Sequence, residues 1–156
     1  MKINYILNGE SMTYDGDLSR SLMDVLREDE GLTGVKCVCR EGECGACSVL
    51  LNGEIVNSCI LPMGRVHGCE ITTIEGFREQ KAFEILDASF KKYSAVQCGF
   101  CIPGMILAST SLLSKNPHPT KEEIKIGISG NLCRCTGYHA IEKAICDAAE
   151  KGEGLW

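Results

Sequence analysis

Eight of the eleven cysteines in this chain fall into two separate groups of four, and this arrangement limits what the chain can fold into. The first quartet has the spacing C-x4-C-x2-C-x11-C and consists of Cys39, Cys44, Cys47 and Cys59. The second quartet has the spacing C-x2-C-x31-C-x-C and consists of Cys98, Cys101, Cys133 and Cys135. Four converging thiolates are a typical ligand set of a metal centre. The sequence therefore predicts two metal centres in series.

The net charge of the chain argues against two classes of partner. The formal charge is −5 at pH 7. A 2Fe–2S core with four thiolates carries about −2, so two such centres would bring the total to roughly −9. Nucleic acids and anionic membranes both attract basic faces. Neither is expected to bind this chain.

The composition and the N-terminus indicate a globular protein of the cytoplasm. The chain is 44% hydrophobic and 24% charged, which is ordinary for a globular protein. Residues 1–16 have no long apolar segment of a signal peptide, and no run approaches the roughly 18 apolar residues of a membrane span. In the reducing cytoplasm, closely spaced cysteines are more often metal ligands than disulfides.

The first half of the chain has the pattern of a small sheet. Asn8-Gly9 and Asn52-Gly53 are strong signals for type I′ hairpin turns. A helix over residues 20–28 is expected, with Ser19 as its N-cap. The predicted strands cover residues 2–7, 11–14, 48–51, 54–57 and 70–74.

After residue 76 the pattern becomes helical. Helices are predicted over residues 81–93 and 103–113, with Pro103 in a first turn where its missing N–H costs nothing. Thr120 and Glu123 form a capping box that opens a third helix, and a fourth covers residues 139–149. The second cysteine quartet lies at the junctions of these helices. A four-helix bundle closed around a metal centre is predicted.

The loop of the first quartet favours a 2Fe–2S cluster over zinc. Its C-x4-C-x2-C start is that of a plant-type 2Fe–2S site. The small residues of Gly42-Glu43-Cys44-Gly45-Ala46-Cys47 let backbone N–H groups approach the cluster sulfurs. Structural zinc sites usually combine C-x2-C pairs, so zinc is the weaker alternative. Arg40 either adds positive charge near the cluster or is simply exposed.

Spacing alone does not decide which metal, if any, the second quartet binds. Zinc would accept a C-x2-C unit followed by C-x-C, and His139 would then be a conceivable ligand, although an ordinary residue of a first helical turn is favoured. A redox dithiol is a third interpretation, but the usual strand before it is missing. The remaining cysteines are Cys37, a bystander of the first quartet, and two small apolar residues, Cys69 and Cys146.

Taken together, the motifs resemble the small 2Fe–2S iron–sulfur subunit of the molybdenum hydroxylases, the xanthine dehydrogenase and aldehyde oxidoreductase family. The resemblance covers nearly the whole chain. It is carried by Gly34-Val35-Lys36, Gly42-Glu43-Cys44-Gly45-Ala46-Cys47, Ala95-Val96-Gln97-Cys98-Gly99-Phe100-Cys101, Pro103-Gly104-Met105 and Gly130-Asn131-Leu132-Cys133-Arg134-Cys135-Thr136-Gly137-Tyr138.

The resemblance implies an α+β fold in two domains and a role for each quartet. Residues 1–76 would form a ferredoxin-like β-grasp domain with the plant-type cluster, and residues 77–156 a four-helix bundle with a second 2Fe–2S cluster. Gln97 matches a glutamine that contacts the pterin, and Cys135 would lie near the pterin as well. Val38 departs from the family pattern, which has glycine there, so strain is expected if that position needs φ > 0.

The resemblance also implies an electron-transfer function within an oxidoreductase. The chain would relay electrons one at a time from the molybdopterin of a large subunit to a FAD-binding subunit or another acceptor, within a hetero-oligomer that dimerises further. It would have no catalytic residues and no substrate site of its own. Leu155-Trp156 is expected either at a subunit contact or as a frayed end. The rival classes are a free-standing two-cluster ferredoxin and a zinc-stabilised interaction module.

Overall fold

The computed structural model describes residues 2–156, in which a mixed five-stranded sheet is combined with helices in an α+β fold. The spatial order of the strands is β2-β1-β5-β3-β4, with β1 and β5 parallel and all other neighbours antiparallel. The strands are β1 (Ile3–Leu7), β2 (Glu10–Tyr14), β3 (Ser48–Leu51), β4 (Glu54–Asn57) and β5 (Glu70–Thr72).

The two predicted hairpins are confirmed. Asn8 and Gly9 have φ values of 51° and 86°, and Asn52 and Gly53 have φ values of 51° and 82°. A type I′ turn requires positive φ at both central residues, which asparagine and glycine tolerate best. The turns set the registers of β1 with β2 and of β3 with β4.

The helix expected over residues 20–28 is shorter and begins later than predicted. It consists of α1 (Leu22–Asp24) and a π-helical turn, Val25–Asp29. Ser21, not Ser19, is its N-cap, because the Ser21 side chain accepts the Asp24 N–H at 3.1 Å. The preceding residues are not free to be helical, since the Leu22 N–H donates to the Leu61 carbonyl and the Met63 N–H to the Arg20 carbonyl.

The four predicted helices of the second half begin at or within one residue of their predicted starts, and a short helix precedes them. Residue 74, expected to end a strand, instead begins a short helix, because the Thr73 N–H donates to the Asn8 side chain at 2.8 Å and leaves the ladder. The capping box of Thr120 and Glu123 is confirmed. The helices are α2 (Ile74–Phe77), α3 (Lys81–Lys92), α4 (Ile102–Lys115), α5 (Lys121–Gly127) and α6 (His139–Lys151). Of the helices in residues 2–156, none is long and apolar enough to cross a membrane.

Strand β3 separates two hydrophobic cores. Val49 belongs to the core between the sheet and α1, whereas Leu50 belongs to the core among the helices. Successive side chains of a strand point to opposite faces, so β3 contributes to both. Helix α4 packs against β3 and β4, and the Ser111 hydroxyl accepts the Ile55 N–H at 3.3 Å. This contact satisfies a backbone donor of the edge strand β4.

Asp147 of α6 joins the first and last long helices through a buried ionic network. Its carboxylate accepts hydrogen bonds from Ser89 at 2.7 Å and from Lys92 and Lys151, each at 2.6 Å. Burial alone would raise the pKa of Asp147, but the hydrogen bonds from Lys151, Lys92 and Ser89 outweigh it and hold the pKa below its ordinary value. Asp147 is therefore ionised at neutral pH.

Replacing this carboxylate is expected to weaken the contact between α3 and α6. Asp147→Asn should lower the free energy of unfolding by about 1–3 kcal/mol, because Lys92 and Lys151 lose their shared counter-ion. For a protein of this size that corresponds to roughly 2–4 °C of Tm per kcal/mol, measured by thermal unfolding at pH 7. Asp87→Asn is the control, since the Asp87–Lys91 pair is exposed and should be worth less than about 1 kcal/mol. Equal effects of the two substitutions would contradict this assignment.

Candidate metal centres

The first quartet comes from two segments, the loop before β3 and a short turn after β4. Cys39, Cys44 and Cys47 are in the loop before β3, as predicted, and Cys59 is in a short 3-10 turn, Ser58–Ile60. Only Cys47 is buried, and the other three are partly exposed. The Ser58 hydroxyl donates to the Cys47 carbonyl oxygen at 2.6 Å, which brings the turn against the loop.

Within the first quartet, Cys39 and Cys44 lie near each other, as do Cys47 and Cys59, so that Cys44 affects the pKa of Cys39 and Cys47 affects that of Cys59. The backbone N–H of Glu41, 3.4 Å from the Cys39 sulfur, and that of Cys44 lower the pKa of Cys39 to about 6. Burial raises the pKa of Cys59 to about 12. The N–H groups directed at sulfur fit an anionic iron–sulfur cluster, whose sulfurs accept such hydrogen bonds.

The strain expected at Val38 is not present. Val38 does not have a positive φ, and the residue of this loop that does is Arg40, at 60°. The guanidinium of Arg40 pairs with the Asp24 carboxylate at 2.9 Å, so α1 supports the unusual backbone conformation of the loop. The side chain of Val38 is 58% exposed and borders the second quartet.

The second quartet is assembled from two junctions between helices. Cys98 and Cys101 lie between α3 and α4, and Cys133 and Cys135 lie between α5 and α6. The sulfurs of Cys98 and Cys135 are 3.7 Å apart. Cys101 and Cys133 form the second pair, in which each thiol affects the pKa of the other. Cys98 and Cys135 are exposed, whereas the other pair is half-buried. The quartet therefore has one face toward the surface and one toward the protein.

Local contacts distinguish the thiols of the half-buried pair. Burial raises the pKa of Cys101 to about 12. Burial acts in the same direction on Cys133, but hydrogen bonds from the Thr136 hydroxyl and from nearby N–H groups outweigh it and lower the pKa of Cys133. Cys133 is thus the thiol of this pair that its surroundings favour as a thiolate.

The loops that carry the two quartets meet directly. The Leu132 N–H donates to the Cys44 carbonyl oxygen at 2.9 Å. The buried Asn131 amide donates to the Gly45 carbonyl at 3.0 Å and to the Ser48 hydroxyl at 3.1 Å. A cavity of about 350 Å³ between the loops is lined by residues of both quartets, among them Cys44, Cys98, Cys101, Cys133 and Cys135.

Two glycines make this close approach possible. A Cβ atom on Gly45, which has a φ of 68°, would lie 2.3 Å from the Gly130 carbonyl oxygen. A Cβ atom on Gly104, in the first turn of α4, would lie 2.5 Å from the Gly45 carbonyl oxygen. No other residue type fits these positions without moving a neighbouring backbone.

The remaining cysteines and His139 lie apart from the thiol pairs. Cys69 and Cys146 are half-buried, as is Cys37, which packs against the sheet core. His139 is exposed at the first position of α6, as predicted. Within residues 2–156, no three or more histidine, cysteine or acidic side chains are grouped to hold a single metal ion.

Comparison with known proteins identifies the family. Residues 5–68 match the family model of a 2Fe–2S iron–sulfur cluster binding domain, and residues 73–146 match that of a [2Fe-2S] binding domain. The nicotinate dehydrogenase small FeS subunit of Eubacterium barkeri is 49% identical over 149 residues, which cover 96% of this chain and 95% of that protein. The chain belongs to the small iron–sulfur subunits of the molybdenum hydroxylases. It is a 2Fe–2S electron-transfer subunit of an oxidoreductase, as the resemblance implied.

Two solved structures share the fold of this iron–sulfur subunit. Quinoline 2-oxidoreductase from Pseudomonas putida 86 is 39% identical, with a TM-score of 0.90, and the match covers 98% of this chain and 96% of that one. Aldehyde oxidoreductase from Desulfovibrio gigas is also 39% identical, with a TM-score of 0.92. There the match covers all of this chain but 18% of that one, so the same unit occurs within a longer polypeptide.

Sequence reasoning about this iron–sulfur subunit missed the residues that support the second quartet. Asn131 and Thr136 stand out in the sequence only as members of a matching segment, and so does Tyr138, whose hydroxyl accepts the Cys133 N–H at 2.9 Å. Their position next to Cys133 and Cys135 was the only sign in the sequence that they could support the second quartet. The spacing does not indicate which atoms they contact.

The close packing of the loops can be tested at Gly45. Gly45→Ala is expected to displace the Gly130 backbone and reduce both the iron content per chain and the Tm. Gly53→Ala is the matched control, because Gly53 also has a positive φ, 82°, but a Cβ atom there would meet no other atom within 4 Å. It should cost only the backbone strain of about 1–2 kcal/mol and retain its iron. Equal iron contents in the two variants would contradict the role of the contact.

Proposed function

We propose that this iron–sulfur subunit relays electrons one at a time between a molybdopterin centre on a large partner subunit and a FAD-binding subunit or another acceptor. The two 2Fe–2S clusters supply one-electron oxidation and reduction. The observation that carries the proposal is the hydrogen bond of 2.9 Å from the Leu132 N–H to the Cys44 carbonyl oxygen. Because Leu132 precedes Cys133, this single hydrogen bond connects the two quartets through the backbone.

We infer that the two cysteine quartets are the cluster ligands. The first cluster would be held by Cys39, Cys44, Cys47 and Cys59, and the second by Cys98, Cys101, Cys133 and Cys135. The grouping of the thiols supports this, because the members of each quartet lie near one another in two pairs, with 3.7 Å between the sulfurs of Cys98 and Cys135. A 2Fe–2S cluster takes two cysteines at each iron. In the second cluster, Cys98 and Cys135 would then share one iron at the surface.

The exposed face of the second quartet is the proposed contact with the large subunit. Gln97 is exposed beside Cys98, which supports its role, and that of Cys135, as the residues nearest the pterin. Val96, Phe100 and Leu132 add apolar side chains that are 41%, 49% and 55% exposed. An apolar surface of this kind around the exposed thiols is typical of an interface with another protein.

The two-domain arrangement is also part of the proposal. Residues 1–76 would form the ferredoxin-like β-grasp domain and residues 77–156 the four-helix bundle. In support, α3 packs against α6, and α5 packs against both α4 and α6. Phe90, Leu113 and Ile145 belong to one continuous core among these helices. Helix α2, which buries Phe77 in that core, would be the connection between the domains.

The proposal places the subunit in a larger assembly in the cytoplasm. The large molybdopterin subunit and the FAD subunit would bind it in a hetero-oligomer that dimerises further, and substrate selectivity would reside in the large subunit. The C-terminal Trp156 makes a contact within this chain, because it packs against Gly152 and the helical core. Leu155, 43% exposed, is the member of that pair that is available to a partner.

Composition analysis and purification distinguish this proposal from its rivals. The complex purified from its source should contain about four irons and four acid-labile sulfides per copy of this chain, and two paramagnetic signals on reduction. Molybdopterin and FAD should co-purify with it. A chain that purifies alone, stable and fully loaded, would favour a free-standing ferredoxin. Zinc without iron would contradict the proposal outright.

The ligand assignment predicts a specific loss in one variant. Cys98→Ser should abolish the signal of the second cluster, lower the iron content to about half, and stop electron transfer to the acceptor. Cys146→Ser is the control, because Cys146 is a half-buried cysteine of α6 outside both quartets and its replacement should leave iron and signals unchanged. Unchanged cluster content and electron transfer in Cys98→Ser would show that Cys98 is not a ligand.

A further inference from the structure

The segment after the last cysteines holds Thr136 directly against a sulfur of the second quartet. The Thr136 hydroxyl oxygen lies 3.2 Å from the Cys133 sulfur. The same oxygen accepts the Tyr138 N–H, also at 3.2 Å, while the Tyr138 hydroxyl accepts the Cys133 N–H at 2.9 Å. Tyr138 has a φ of 67°, so the chain adopts an uncommon conformation to close this ring of hydrogen bonds.

The direction of the contact between Thr136 and Cys133 follows from the other bonds of the hydroxyl. A threonine hydroxyl has a single proton to donate. The oxygen accepts the Tyr138 N–H with a lone pair, which leaves the proton available to the Cys133 sulfur 3.2 Å away. A metal-bound thiolate has no proton and can only accept. The hydroxyl is therefore held as a donor to this one sulfur.

We propose that Thr136 is a positioning residue that raises the reduction potential of the second cluster through its hydrogen bond to the Cys133 sulfur. The inference rests on the proposed ligand role of Cys133. Reduction adds one negative charge to the cluster and its thiolates, and a donor at sulfur stabilises the more negative state more than the less negative one. Loss of the hydroxyl therefore makes the second cluster harder to reduce.

The four thiols of the second quartet differ in exposure, and Thr136 donates to one of the less exposed ones. Cys98 and Cys135 are exposed, where a partner or water can contact them, whereas Cys133 is half-buried and its hydrogen bond comes from the chain itself. Thr136 is half-buried as well. Besides nearby backbone N–H groups, the second cluster thus has a side-chain donor whose position does not depend on the partner subunit. The hydrogen bonds of the Thr136 hydroxyl are with Cys133 and Tyr138, so the first cluster serves as an internal reference.

The test is a redox titration of the purified complex, with both clusters followed by electron paramagnetic resonance. Thr136→Val removes the hydroxyl and keeps the shape of the side chain. It should shift the reduction equilibrium of the second cluster about tenfold toward the oxidised form, equivalent to about 59 mV for a one-electron couple. Thr136→Ser keeps the donor and should leave that potential close to its native value. The first cluster should be unchanged in both variants.

Each other result overturns the proposal in an identifiable way. A fully loaded Thr136→Val complex with an unchanged second potential would show that the hydroxyl has no such effect. Equal shifts of both clusters would indicate a general change of structure. If Thr136→Val and Thr136→Ala both lose the second cluster while Thr136→Ser keeps it, the hydroxyl serves assembly and not potential. Native protein without two paramagnetic signals would instead overturn the proposed function itself.

Discussion

The contact between the two cysteine loops is the constraint on which the rest of the structure depends. The backbones of residues 44–45 and 130–132 lie so close that Gly45 and Gly104 have no space for a Cβ atom. Asn131, buried between them, satisfies the Gly45 carbonyl with its amide. A protein that relays electrons must hold its centres at a fixed separation. Here backbone hydrogen bonds and the absence of two side chains set that separation.

Charge is the second constraint, because the eight cysteines proposed as ligands would all carry negative charge in a chain that is already acidic. Hydrogen-bond donors close to individual sulfurs offset the cost of this charge. Backbone N–H groups surround Cys39, and the Thr136 hydroxyl and nearby N–H groups surround Cys133. Burial raises the pKa values of Cys59 and Cys101, so their neutral forms are favoured in the absence of a metal. As the proposed ligands, these two thiols would owe their negative charge to the bound cluster.

Much of the fold was predictable because its signals are local. Asn8-Gly9 and Asn52-Gly53 carry the positive φ values of their turns, and Thr120 with Glu123 closes a capping box within one helical turn. The errors occurred where a distant partner intervened. Ser19 lost its predicted role as the cap because residues 20–22 pair with residues 61–63, and the strand of residue 70 ends early because Thr73 donates to Asn8.

By itself the sequence determined the chemistry of this protein: the number of centres, their thiolate ligands as a hypothesis, the α+β fold class and the family. Spacing and residue type carry that information, since they specify which atoms a loop offers. Only the tertiary structure decided how the quartets are related. Their contact joins residues separated by more than 80 positions, such as Gly45 and Asn131. The hydroxyl of Thr136 is likewise fixed by its neighbours, because it lies against the Cys133 sulfur and accepts the Tyr138 N–H. Such relations arise from packing, which no local pattern records.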